Sequence, residues 1–308
     1  MVENFLTIAQ QIIILFMLII AGFVCGKRRL ISDSGIKTCT NLVLYLATPC
    51  VIIKSYIRDF SVEVLGELLL SIGLSFAVHL LAIIVARIVF PPKNGNDSSA
   101  VSHYAVVFSN AGYMALPLQA AILGDDGVFF GASYVAIFNV MSWTYGIWCM
   151  SREKGSFSPK RLVNPGVVSV IIGIILFVFS VPVHPNILSA LTHLSNLNTP
   201  LPMLIIGYYL SQSNIFDALK NKRIYLVAFL RLILVPSLAL AGMYFSGVSA
   251  AMLVSMTIAA SAPVAANTTM FSVMFDRDEK LSVNLVSLTT ILSVITMPVI
   301  VALAQYLG

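Results

Sequence analysis

Apolar runs constrain this chain more than any other feature. Ten of them lie near residues 5–25, 39–57, 65–90, 101–122, 129–150, 165–182, 187–210, 224–245, 249–274 and 283–306. Each approaches the roughly 20 apolar residues that a helix needs to cross a bilayer. Only 10% of the residues are charged, against about 25% in a soluble domain. Lipid gives a backbone no hydrogen-bond partner, so a chain of this kind crosses as helices. The expected fold class is an all-α polytopic membrane protein with ten transmembrane helices. Asn196, Asn198, Thr199, Pro200 and Pro202 crowd the middle of the seventh run.

Loop charge sets the orientation. Fifteen of the 18 Lys and Arg follow the odd-numbered runs: 27, 28, 29 and 37; 87 and 93; 152, 154, 160 and 161; 220, 222 and 223; 277 and 280. By the positive-inside rule this side is cytoplasmic, and both termini are expected outside. The same placement accounts for the net charge of +5 and excludes a nucleic-acid partner. Glu3 precedes the first run and Lys27-Arg28-Arg29 follows it, the reverse of a signal peptide. The expected location is the cell (plasma) membrane, with the lipid bilayer as the surrounding partner.

Five runs precede the polar stretch 151–164 and five follow it, giving halves 1–150 and 165–308 joined by a cytoplasmic linker. Five is odd, so the second half enters from the opposite side and any repeat is inverted. Weak internal matches support one. Ala47-Thr48-Pro49 corresponds to Asn198-Thr199-Pro200, Arg87 before Pro91 to Arg231 before Pro236, and Pro117 to Pro263, at offsets of 144–151 residues.

Two runs are interrupted. Ser109-Asn110-Ala111-Gly112-Tyr113-Met114-Ala115-Leu116-Pro117 breaks the fourth, and Ser261-Ala262-Pro263-Val264-Ala265-Ala266-Asn267-Thr268-Thr269 breaks the ninth. Proline has no N–H to give a helix. An ordinary kink is the bland reading. Paired breaks in two halves are instead the sequence mark of a binding site, where half-helix N-termini meet an anion. The Asn110 and Asn267 amides can donate to a carboxylate or hold unwound backbone. Ser109, Ser261, Thr268 and Thr269 read as backbone partners. Asn139, four residues before Trp143, lies in the fifth run, and Tyr45 and Tyr113 offer an aromatic wall.

No Asp or Glu lies well inside a run, which argues against a buried-carboxylate proton or sodium relay. Arg231 is the one intramembrane charge, either snorkelling, structural or steering anions. Lys54 and Arg58 stand at the outer end of the second run as interface anchors or weak anion attractors. Cys25, Cys39, Cys50 and Cys149 lack metal-ligand spacing, His79, His103, His184 and His193 are scattered, and there is no phosphate loop. No enzyme activity, cofactor or metal is expected.

The ten-run plan, Asn110-x6-Pro117, Pro263-x3-Asn267 and Leu44-Tyr45-Leu46-Ala47-Thr48-Pro49 together resemble the auxin efflux carrier family, which includes plant PIN carriers and bacterial permeases for malate or malonate. The resemblance covers essentially the whole chain. It implies a 5+5 inverted repeat whose two broken helices cross near the bilayer midplane at the two prolines, and elevator-type alternating access. It implies a secondary transporter or facilitator of small organic anions such as malate, malonate or auxin-like acids, with a homodimer as the family's assembly. The implied site is Asn110, Gly112, Tyr113, the backbone at Pro117, Pro263 and Val264, then Asn267, Asn139, Thr48 and Pro49. Plant members carry a long loop between the halves that is absent here, so its regulation does not transfer. Alternatives are a sodium-coupled symporter of the bile-acid type and a non-transporting sensor with a transporter-like fold.

Overall fold

The computed structural model describes residues 2–92, 96–151, 165–212 and 220–308. All but Ser151 of the expected linker 151–164 lies outside the described residues, as does Lys93. Regular structure among the described residues is helical. In chain order the helices are α1 (Val2–Lys27), α2 (Asp33–Leu42), α3 (Thr48–Ser55), α4 (Val62–Val89), α5 (Asp97–Val107), α6 (Leu116–Met141), α7 (Ile147–Met150), α8 (Pro165–Val178), α9 (Pro185–Ser195), α10 (Pro200–Gln212), α11 (Lys222–Phe229), α12 (Val235–Phe245), α13 (Ala250–Ser261), α14 (Asn267–Met274) and α15 (Glu279–Leu307). Among the described residues, five helical runs are long and apolar enough to cross a membrane: Asp33–Ser55, Val62–Val89, Ala111–Met150, Lys222–Phe245 and Glu279–Leu307. Ile13–Lys27, Pro165–Val178 and Ala250–Ser261 are shorter apolar helices.

Four prolines sit inside these runs without breaking them: Pro298 lies within α15, and the other three share one device. Pro49, Pro117 and Pro236 each occupy the first turn of an α-helix that follows a wider π-turn: Val43–Ala47, Ala111–Ala115 and Leu230–Leu234. The residue before each proline reaches back five positions, Thr48 N–H to the Val43 carbonyl, Leu116 to Ala111 and Val235 to Leu230. A proline ring clashes with the carbonyl four residues earlier. Widening the preceding turn relieves that clash while the backbone stays bonded.

Ala111–Met150 has 40 residues. A straight helix of that length would be about 60 Å long, twice the hydrocarbon core. It is not straight. Gly124 has φ +63° and ψ −143°, where a side chain would be strained, and reverses the chain. A methyl on Gly131 would fall 2.1 Å from Gln119 Oε1, although twelve helical residues span about 18 Å. One on Gly127 would fall 2.5 Å from the Gln119 carbonyl. The two arms therefore lie side by side, and the missing side chains of Gly127 and Gly131 let them touch.

Helices gather in two groups. In the first, α1 lies along α10, and α3 packs on α8 and α9. Gly22 and Gly207 bring α1 and α10 to backbone contact: a methyl on Gly207 would stand 2.0 Å from the Ile19 carbonyl. Small residues are how membrane helices approach closely. In the second group, α13 packs on α6, α12 and α15, and α4 on α5 and α6. Arg277 ties its ends, pairing with Asp97 at 2.5 Å and donating to the carbonyls of Met150 and Ser151.

The segments matched within the sequence differ in their surroundings. Thr48 Oγ1 donates to Asn198 Oδ1 at 2.7 Å, so the Thr-Pro motifs of the second and seventh runs touch. Arg87 and Arg231 do not correspond chemically: Arg87 is exposed beside the Trp148 ring, and Arg231 is fully buried. Pro91 lies beyond the end of α4, whereas Pro236 lies within a helix.

Candidate functional site

Two helices of the second group stop inside the protein. α5 ends at Val107 and the chain becomes extended at Phe108 (φ −104°, ψ 112°). α13 ends at Ser261 and becomes extended at Ala262 (φ −61°, ψ 148°). The extended pieces pair antiparallel, Ser109 opposite Val264. Asn110 N–H donates to the Pro263 carbonyl at 2.7 Å, and Ala265 N–H to Phe108 at 3.0 Å. Val264 N–H finds Thr289 Oγ1 of α15 at 3.2 Å. An unpaired backbone group costs several kcal/mol in lipid, so each break satisfies the other.

This corrects the expectation that both prolines mark the breaks. Pro263 does, since it stands in the extended piece. Pro117 does not: it lies seven residues beyond Asn110, buried and helical after its π-turn. The first break depends on Asn110 instead, whose φ −77° and ψ 57° are not helical.

A cavity of about 180 Å³ opens beside the paired breaks. A 150 Å³ apolar cavity already holds benzene, so this one suits a small organic molecule. Its wall combines both helix groups: Leu44 and Tyr45 before α3, Thr48 at its start and Pro165-Gly166 of α8 on one side, the breaks and the α6 arm on the other. Six of the ten expected substrate residues line it, namely Thr48, Asn110, Gly112, Tyr113, Asn139 and Asn267. Pro263 and Val264 lie in the paired extended pieces behind that wall, Pro49 directly follows the lining residue Thr48 without itself lining the cavity, and Pro117 stands about one turn beyond Tyr113. Val135, Phe138, Trp143 and Met270 are lining residues that the sequence reading did not assign. Asn139 held the signal for three of these, because Val135 and Trp143 lie four residues either side on one helical face and Phe138 adjoins it.

The polar groups of the wall are few. Asn110 is 4% exposed, and its side-chain nitrogen Nδ2 has no partner. Buried donors are almost always paired, so an unpaired one in a cavity wall is a place for a ligand's acceptor. Asn139 Nδ2 is committed to the Val135 carbonyl at 2.9 Å. Both restarting helices begin in the wall, at Ala111-Gly112-Tyr113 and at Ala266-Asn267. First-turn N–H groups lack helical partners and carry the positive end of the dipole.

Arg231 lies outside this wall. It does not snorkel: it is fully buried, and its guanidinium donates to the carbonyls of Val106 (3.0 Å) and Val107 (3.3 Å) and to that of Ala260. The two outer cations are also engaged. Lys54 pairs with Asp125 and Arg58 with Asp126, each at 2.8 Å, and Arg58 stacks 4.3 Å above the Phe129 ring. Their charge is largely answered by carboxylates at the Gly124 turn, which weakens the anion-attracting reading given to them above.

The profile of a family described as "Membrane transport protein" matches residues 7–301. No curated protein matches the chain.

Proposed function

The chain belongs to the auxin efflux carrier-type family of membrane transport proteins, and on that footing we propose that it moves small organic anions through the cavity at the paired breaks. The observation that carries this is the unpaired Asn110 amide, buried in the wall between two helix N-termini. A carboxylate accepts from an amide N–H and from first-turn N–H groups alike, and it favours the positive end of a helix. The remaining wall is apolar and aromatic, suited to the carbon skeleton of an organic acid.

Ten spans in a 5+5 inverted repeat complete the reading, with the breaks crossing near the bilayer midplane. Turning Ala111–Met150 back at Gly124 makes two spans of one run, and the shorter apolar helices supply others. The division into two helix groups with the cavity between them supports alternating access of the elevator type. In that motion, the group holding the breaks slides along the group built on α1 and α10. The plasma membrane, with both termini outside, is the proposed setting.

The test is thermal stability of detergent-purified protein against malate, malonate, other dicarboxylates and indole-3-acetate, each with and without sodium, followed by flux into proteoliposomes. A ligand at about a hundred times its Kd adds about 2.7 kcal/mol to apparent stability. A carboxylate shift that disappears in Asn110→Ala, together with flux of the same acid, is the expected outcome. A shift by sodium alone points to a symporter. No shift and no flux with any acid overturns the anion reading.

A further inference from the structure

The breaks expose four helix ends. Two are N-terminal and stand in the cavity wall. The other two are the C-termini of α5 and α13, and both point their last carbonyls at one side chain. Arg231 Nη1 donates to Val106 and Val107 at the end of α5, and Nη2 to Ala260 at the end of α13. A helix C-terminus carries about half a negative charge. Two of them sum to roughly one, which a single guanidinium cancels. Only a planar fork with separate N–H groups reaches both ends together; an ammonium is a point donor. Burying an arginine in lipid is costly, and three charge-assisted bonds to otherwise unpaired carbonyls offset that cost. The π-turn Leu230–Leu234, forced by Pro236, carries the side chain, and Tyr134 flanks it.

We infer that Arg231 is both the positioning residue of the paired breaks and a determinant of charge selectivity. It clamps the two C-terminal ends and cancels their dipoles, so the cavity feels the two N-terminal ends uncompensated. The selectivity half rests on the anion reading above; the clamping half does not.

The experiment compares Arg231→Gln, Arg231→Lys and the exposed control Lys27→Gln in the full-length purified protein. Hydrogen exchange is followed at Asn110 and Ala265, whose amides make the two crossing bonds. Losing a charged hydrogen bond translates to about 10- to 100-fold faster local exchange in R231Q. R231K is expected between R231Q and wild type, with α1 and α10 unchanged throughout. Exchange at wild-type rates in R231Q overturns the clamp. If R231Q does not purify folded, R231K decides: wild-type exchange there overturns the need for a fork. Binding of malonate against its uncharged diamide is then measured in each. Malonate preference should fall about tenfold in R231Q and survive in R231K, even as both bind more weakly, by the same magnitude. A purely structural arginine would weaken both probes equally in both variants, and that result overturns the selectivity half. Wild-type protein that binds neither probe refutes the anion reading, while the exchange data still judge the clamp.

Discussion

The break at Phe108–Asn110 and the break at Ala262–Ala266 meet the same requirement with different residues. The second uses the expected device: Pro263 cannot donate, stands in extended chain and offers its carbonyl to the partner. The first uses an asparagine, whose backbone N–H donates to that carbonyl while its side-chain Nδ2 stays unpaired at the cavity wall. Downstream they differ again. The first helix restarts through a π-turn and folds back at Gly124; the second runs only from Asn267 to Met274. The two breaks share only the result, which is backbone bonded across the gap.

If Asn110 is the side that binds, Asn110→Ala should weaken carboxylate binding about 10- to 100-fold, the value of a charge-assisted hydrogen bond. Asn267→Ala, half-exposed at its helix start, should cost clearly less. Equal losses by calorimetric titration would erase the asymmetry. Next in size is the turned-back arm. Gly127→Ala forces a methyl against the Gln119 backbone and should destabilise by about 1–3 kcal/mol in thermal melts. Gly112→Ala meets nothing within 4 Å and should leave stability alone while narrowing the cavity. Pro263→Ala restores helix-forming freedom in the break and should destabilise by about 1 kcal/mol. Pro117→Ala, already helical, should be nearly neutral. Matching melts for the two would restore the equivalence that the sequence suggested. Asp126→Asn should likewise change little, by about 0–1 kcal/mol, because Asp126 is 64% exposed and its pair is screened.

The all-helical, membrane-crossing character and the paired interruptions were legible because lipid imposes one rule on every backbone group, and violations of it are visible as polar residues in apolar runs. That rule picked out Asn110, Asn139 and Asn267. It misassigned Pro117, since proline announces a missing N–H but not whether a π-turn absorbs it. Pairing was not legible: that Asn110 bonds to Pro263, or Arg231 to three carbonyls, follows from the packing of α11 and α13 on distant helices. Nor could Lys54 and Arg58 be read from charge alone, since their carboxylate partners lie more than sixty residues away.

Asn110 holds one further consequence. Its main chain closes the joint between the two breaks, and its side chain faces whatever enters the cavity. Occupancy and the soundness of the joint are then linked quantities, and linkage is reciprocal. A ligand that fastens the amide lowers the free energy of the closed joint by the same amount that the closed joint improves the ligand's affinity. An empty protein should therefore hold its two breaks together more loosely than one whose Asn110 amide is occupied by a ligand.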